Sequence, residues 1–434
     1  VDLLFLTQTY PRTPEDTAGP FIRELALALV RGGDRVRVLA PHARGLPRRR
    51  DDGGVEVEAF RYAPVPLELF GYGRSLAADE RVRVASLLAA PLYAAGAWRA
   101  VRRALREPLD IERGGRGPGR TGVGWNVVQA HWLLPNGPLA RGLAARIAFG
   151  VGIHGSDVFL AERRAARGVV RRTLAACDFL TGCSPELVER VCALGFPTAD
   201  ARVIPYGVDA QTYRPDPARR TEWRQRLGIP LDAPLLLGLG RMATKKGFQV
   251  LLPELPVLLA AVPDLHVVLA GAGDLLSRFR AQTAPLAARV HFPGAVLRDT
   301  LPDLFRAADA FVLPAVHDPR GNVDGLPNVV LEAMASALPV VATAVSGIPL
   351  AVRDGVEGVL VPEGDGRALR EALVALFADR DRARRMGEAG RQRAVDELGW
   401  DAVAGRYRAA YAEGLARRAA GTKPAAAWRP GARA

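Results

Sequence analysis

Short, uninterrupted apolar runs alternate with amphipathic stretches of helical length along most of this 434-residue chain. Leu3 to Thr7 is the first run, and Phe21 to Arg31 repeats its apolar residues at helical spacing. Gly32 and Gly33 stop that helix, and Arg35 to Ala40 is the next strand. With the turn-rich loop from Thr9 to Pro20, the opening reads as a β-loop-α-β unit. Asn126 to Gln129 and Val151 to Ile153 read as later strands of the same sheet, each followed by a polar loop carrying His131 or His154. A second series begins near Pro234, with strands at Leu235 to Leu239, His266 to Ala270, Phe311 to Leu313 and Val340 to Ala342, and a helix from about Phe248 to Ala261. Strands that are apolar at every position are covered on both faces, so the pattern predicts an α/β protein with two doubly wound, parallel, Rossmann-like sheets.

Two domains suit this length better than one core. The pattern divides the chain into residues 1–213 and 214–399, with the Pro-rich and polar stretch from Asp209 to Pro217 as linker. A break near Gly399 and Trp400 precedes a last helix, 400–418, which is expected to return to the first domain. Two such domains facing each other leave a cleft, a favoured ligand site. The Gly- and Arg-rich segment 112–122 reads as a mobile surface loop, and the Ala-, Gly-, Pro- and Arg-rich tail 419–434 as disordered.

Composition narrows the class. Hydrophobic residues make up 49% and charged residues 24%, which marks a globular rather than a fibrous or disordered chain. The formal charge of +13 is shared almost evenly by the two halves and is carried nearly all by Arg, with Lys only at Lys245, Lys246 and Lys423. Without basic and aromatic platforms, no nucleic-acid partner is expected; attraction to anionic lipid headgroups is the better reading. Cys177, Cys183 and Cys192 form an odd set without CxxC spacing and read as buried free thiols of a reducing compartment. No apolar window is long enough to span a membrane, and VDLLFLTQTY reads as a strand entering a loop rather than a signal peptide. The expected location is the cytoplasm, with peripheral attachment to the inner face of the plasma membrane.

The chemistry concentrates in two segments of the second domain, GRMATKKG (Gly240 to Gly247) and DGLPNVVLEAMA (Asp324 to Ala335), each read as directly following a strand. Arg241 and Lys246 are spaced so that a guanidinium fork and an ammonium can grip one pyrophosphate from two sides. A pair of solvated loop cations is the plain alternative, but two of the three lysines of an Arg-saturated chain sit here. In the second segment Pro327 suits a first helical turn and Gly325 allows close approach, so N–H groups of Leu326, Pro327's neighbour Asn328 and their turn can face a phosphate. Asp324 before that helix and Glu332 within it offer two carboxylates to hydroxyl groups; a capping Asp and a locally paired buried Glu are the alternative.

These residues resemble the retaining GT-B glycosyltransferases of family 4, whose GR-x4-KG and E-x7-E elements lie in the C-terminal domain. HGSD (His154 to Asp157), QAHWLLPNG around His131 and YGVDAQTYRP at 206–215 extend the resemblance over roughly residues 1–418. Within the family, the chain looks most like bacterial transferases that build extracellular polysaccharide, lipopolysaccharide or lipid-linked glycans. The resemblance implies a UDP- or GDP-sugar donor and a glycan or lipid-linked acceptor. It also implies Arg241 and Lys246 on the donor phosphates, Glu332 on the ribose, Asp324 on the donor sugar, Gly19 close to the diphosphate from the other domain, and His154 on the transferred sugar. Asp157 is expected to orient its loop or contact the acceptor, and His131 to be a weaker candidate or a structural histidine. Acceptor choice is expected from the N-terminal loops, including residues 42–75 and 112–122.

This chain departs from the pattern at three places: Asp324 replaces the usual Glu, Ala18 precedes Gly19 where two glycines are common, and Leu350 follows SGIP where an acid is frequent. The implied route is front-face and oxocarbenium-like, with the leaving diphosphate oxygen helping to take the acceptor proton. Neither a cofactor nor a metal is expected, because the cations and helix terminus offset the diphosphate charge; the one DxD, Asp379 to Asp381, opens a C-terminal helix far from the strand-end loops and reads as chance or capping. A glycan phosphorylase, a nucleotide-sugar epimerase and an inactive nucleotide-sugar-binding protein remain alternatives on the same fold.

Overall fold

The computed structural model describes residues 1–13, 16, 18–68, 70–71, 84–106, 124–143 and 147–421. The described residues form two compact units, one from those within 1–204 together with 404–421, the other from residues 205–403. The sheet of the first unit contains β1 (Asp2–Leu6), β2 (Arg35–Pro41), β3 (Arg49–Asp52), β4 (Val55–Phe60), β5 (Val127–His131), β6 (Ala148–Ile153), β7 (Phe179–Gly182) and β8 (Ala201–Val203). Their spatial order is β3-β4-β2-β1-β5-β6-β7-β8, and every pairing is parallel except β3 with β4. The second unit contains β9 (Leu235–Leu239), β10 (His266–Ala270), β11 (Val290–Gly294), β12 (Ala310–Leu313), β13 (Val340–Thr343) and β14 (Gly358–Val361), ordered β11-β10-β9-β12-β13-β14 and parallel throughout.

Both sheets reverse their winding once. The chain runs from β1 outward through β2 and β4, then returns to the other side of β1 with β5. It does the same from β9 through β10 and β11 before β12 returns beside β9. At such a reversal the loops leaving the two central strands part and open a crevice at the carboxyl edge of the sheet. The candidate segments of the second unit lie on the connections leaving β9 and β12, Gly19 lies on the connection leaving β1, and His131 is the last residue of β5.

Helices cover the sheets because their apolar stripes fit the buried strands. The helix Pro20–Arg31 buries Ile22, Leu25, Ala26, Ala28 and Leu29 and ends at Gly32, whose amide bonds back to Ala28. The last helix, Trp400–Ala419, begins in the second unit and continues in the first. There the Tyr411 hydroxyl bonds the Gln129 side chain, Arg408 Nε reaches Asp34 at 2.6 Å, and Arg417 pairs with Asp200 at 3.0 Å.

A buried arginine fastens the opposite edge of the second sheet. Arg224 is fully buried, donates to the carbonyls of Pro230, Leu231, Ala233 and Ala307, and pairs with Asp309 at 2.8 Å. The same Asp309 oxygen accepts the Leu235 amide at 2.9 Å, so one ion pair ties together the entries of β9 and β12.

Several sequence expectations change in detail. Residues 42–75 are not simply a loop: Gly53 and Gly54, at φ 64° and 89°, turn the chain between β3 and β4. The stretch 205–213 belongs to the second unit, where Val208 bridges Gly399 and Tyr213 is buried, so the division falls at 204 rather than 213. The helix expected from Phe248 to Ala261 is broken into three short pieces around Pro253 and Pro256. Segment 112–122, residues 72–75 and the tail from 422 lie outside the described residues. The three cysteines are free, with Cys177 and Cys183 buried and Cys192 partly exposed. Among the described residues, no helix is long and apolar enough to cross a membrane.

Candidate active site

In the second unit, glycines bring the loops after β9, β10 and β12 into backbone contact. Gly271, at φ 135°, packs so closely that a Cβ there would lie 1.8 Å from the Gly240 carbonyl oxygen. Gly247, at φ 74°, would place a Cβ 1.5 Å from the Pro314 carbonyl oxygen. No L side chain fits either position. The Lys245 carbonyl accepts the Val316 amide at 3.0 Å, which completes the junction.

This junction delivers two lysines to one carboxylate. Lys245 Nζ lies 2.6 Å from Asp324 Oδ1 and Lys246 Nζ 2.7 Å from Oδ2. Burial opposes ionisation of Asp324, yet the two ammonium groups outweigh it and hold the carboxyl well below the usual carboxylate range. Lys245 was missing from the sequence candidates, although its rarity in this chain was the available signal. Arg241 is exposed at the opening of the same loop.

Ten residues, 314–323, separate β12 from Asp324, so the second segment does not directly follow its strand. Its helix is Asn328–Ala335, with Pro327 at the N-cap in extended conformation (φ −68°, ψ 118°) rather than in the first turn. The donors of the first turn therefore start at Asn328, and Leu326 lies before the helix. The Gly325 carbonyl accepts the Gly347 amide at 2.7 Å, which anchors the segment to the SGIP loop.

One turn into the helix, Glu332 accepts a hydrogen bond from the Tyr213 hydroxyl. Burial pushes its carboxyl up to about 7, against the pull of Arg298, the Tyr213 bond and Lys246. Sequence reasoning missed Tyr213 and Arg298, which come from distant segments and carry no local motif. A carboxyl raised on folding favours the folded state most below its ordinary value and loses that contribution as pH rises through about 7. Glu332→Gln removes this limb. Thermal unfolding should thus show the variant gaining on the parent protein between pH 5 and pH 8; an unchanged difference between the two would refute the assignment.

The first unit builds a second constellation. Gly19 precedes the helix Pro20–Arg31 at φ 73°, and a Cβ there would sit 2.9 Å from Thr9 Cγ2, so glycine lets the β1 connection fold tightly on itself. His131 ends β5 and His154 follows β6. Their rings stack at 5.3 Å between centroids, with His131 Nδ1 3.1 Å from His154 Nε2. Trp132, at the strained φ of 68°, and Phe21 both pack on His154 at 4.9 Å.

Asp157 orients these loops. It is buried, accepting the Leu133 amide at 2.7 Å through Oδ2 and the amides of Gly155 and His154 at 3.0 and 3.2 Å through Oδ1. Burial raises its carboxyl to about 6, opposed by these amide bonds. Of its two expected roles, this geometry favours loop orientation. Asp379 accepts the Arg382 amide at 2.8 Å as a helix cap, in keeping with the reading of the DxD. Among the described residues, no cluster of three or more His, Cys, Asp or Glu is arranged to hold a metal.

Two doubly wound units with their polar loops at the strand reversals are the parts of a GT-B glycosyltransferase. The fold matches sucrose-phosphate synthase from Thermosynechococcus elongatus, with a TM-score of 0.72 and 21% identity over 96% of this chain and 100% of that one. It also matches Anabaena HepE in complex with UDP, with a TM-score of 0.68 and 18% identity over 95% and 100% of the two chains. Residues 18–212 match the family described as Glycosyltransferase Family 4, and residues 233–379 match Glycosyl transferases group 1. The GDP-mannose-dependent alpha-(1-6)-phosphatidylinositol monomannoside mannosyltransferase of Mycolicibacterium smegmatis is 34% identical over 61% of this chain and 69% of its own length. A D-inositol 3-phosphate glycosyltransferase of Xylanimonas cellulosilytica is 36% identical over 57% of this chain and 60% of that protein. The chain belongs to glycosyltransferase family 4, as its motifs led us to expect.

Proposed function

We propose that this glycosyltransferase takes a sugar from a GDP- or UDP-sugar, GDP-mannose foremost, and passes it with retention to a lipid-linked or glycan acceptor. The observation that carries this reading is the convergence of Lys245 and Lys246 on Asp324 immediately before the helix that bears Glu332. The named activities of the mannosyltransferase relatives favour guanosine and mannose. In this scheme Arg241, Lys246 and the amides around Gly325 to Asn328 hold the diphosphate, Glu332 binds the ribose, Gly19 admits the diphosphate from the first unit, and His154 meets the sugar. Asp324, the shorter of the two possible acids, balances the lysines until the donor arrives. The acceptor hydroxyl oxygen bonds to the anomeric carbon while the bond from that carbon to the β-phosphate oxygen breaks, and the departing diphosphate takes the proton. Fixed cations facing the charge that develops on the leaving group supply the stabilisation, with each such donor contributing roughly 3 kcal/mol. No metal is required for this charge balance.

The same reading places the enzyme at the cytoplasmic membrane surface. The helix Val84–Ala104 exposes Leu92 and Trp98 at 44% and 47%, and the Arg102 guanidinium stands 4.3 Å over the Trp98 ring. Exposed Arg99 and Arg106 lie near the same end, so aromatic and cationic groups suit an anionic headgroup layer.

One assay tests the scheme. Purified enzyme with GDP-mannose and a phosphatidylinositol mannoside acceptor should release GDP only when acceptor is present, equally with and without EDTA. Anionic vesicles should speed the reaction severalfold over neutral ones, an effect that Trp98→Ala abolishes. Release without acceptor, phosphorolysis of a glycan, epimerisation of the nucleotide sugar, or a strict Mg²⁺ requirement would each overturn the corresponding part.

A further inference from the structure

The buried histidine beside His154 has a definable task, and its hydrogen bonding says which. His131 is fully buried, and its Nε2 has no hydrogen-bond partner. Its Nδ1 lies 3.1 Å from His154 Nε2, so one of these two nitrogens carries the shared hydrogen. If His154 were the donor, a neutral His131 would keep its own hydrogen on Nε2, a buried N–H with nothing to receive it. If His131 donates through Nδ1, only a lone pair is left unused at Nε2, the less costly of the two omissions.

We infer that His131 is a positioning residue that locks His154 as its Nδ1–H tautomer, so that His154 meets its ligand as a hydrogen-bond donor. A donor suits a sugar hydroxyl or ring oxygen, and a fixed tautomer removes the need to reorganise as the transition state forms. The surroundings serve the same end. The His131 carbonyl accepts Asn136 Nδ2 at 2.8 Å, and Asn136 Oδ1 in turn accepts the Tyr93 hydroxyl at 2.7 Å, both inside the first unit. Phe5 meets the His131 ring edge-on at 4.8 Å, and Asp157 holds the His154 amide. Burial drives the His131 imidazole down to about 3 and His154 well below its ordinary value, so both rings are neutral at working pH and the question is one of tautomer alone.

This inference rests on the reading that His154 meets the transferred sugar, and the test separates the two. The chain has six histidines, few enough for their ring nitrogens to be resolved in ¹⁵N-labelled protein by long-range ¹H–¹⁵N correlation. His154 is expected to show a protonated Nδ1 and an unprotonated Nε2 at pH 7, with His131 in the same form. His131→Asn keeps an N–H near the Nδ1 position and should retain kcat within about threefold, whereas His131→Leu should lower kcat by about a hundredfold with donor KM nearly unchanged. The Nε2–H form of His154 in the parent protein, or equal loss in the Asn and Leu variants, overturns the inference. Full activity in His154→Ala instead overturns the underlying reading, whatever the tautomer.

Discussion

Lys246→Ala and Arg241→Ala should each lower kcat by about a hundredfold or more while the protein stays folded. The size follows from the proposed scheme, in which these cations face the leaving diphosphate. Negative charge builds on the diphosphate as the glycosidic bond breaks, and removing one fixed donor to such a charge typically removes roughly 3–4 kcal/mol of transition-state stabilisation. The fold should survive because Arg241 is exposed, and because Asp324 keeps Lys245 at 2.6 Å when Lys246 is lost. Steady-state kinetics with saturating donor, together with circular dichroism, check both halves of the statement. Parent-level turnover in both variants would remove the phosphate grip from these residues.

Arg224→Met should lower the melting temperature by about 10 °C. Leaving a buried polar group without its partner costs about 1–3 kcal/mol, and a domain of this size shifts by roughly 2–4 °C per kcal/mol. Here four carbonyls, those of Pro230, Leu231, Ala233 and Ala307, would be left without this donor, while the partly exposed Asp309 keeps Arg220 at 2.6 Å. Arg224→Met with Asp309→Leu should fall further rather than recover, since the second change also takes the acceptor from Arg220 and from the Leu235 amide. Differential scanning calorimetry distinguishes these outcomes; a shift below about 2 °C in the single variant would mean that the pair is dispensable.

The parts of this enzyme visible in its sequence are those determined locally. Leu235–Leu239 and His266–Ala270 stand out because nearly continuous apolar runs flanked by turns have few other uses in a folded chain. GRMATKKG and DGLPNVVLEAMA stand out because the proposed phosphate grip combines cations, glycines and a helix start over a few residues. Several others did not: β3 is polar and exposed in alternation, β7 ends in Thr and Gly, β14 opens on Gly, and β8 has three residues with Arg at its centre. The domain boundary was misplaced for a related reason, since Tyr213 reads as part of a polar linker until its hydroxyl is seen beneath Glu332. The histidine pair joins positions 23 residues apart that only the parallel pairing of β5 with β6 brings side by side. Lys245 was legible in composition, as one of three lysines, but its task appears only once the loop after β12 has folded back on it.

The path of the last helix also sets an order of assembly. Tyr411, Arg408 and Arg417 fill places beside Gln129, Asp34 and Asp200 that the first 204 residues cannot fill alone. During synthesis, the amino-terminal unit therefore waits, unfinished, while the whole of residues 205–403 emerges from the ribosome and can fold. Of the two units, the one begun first is the last to be completed.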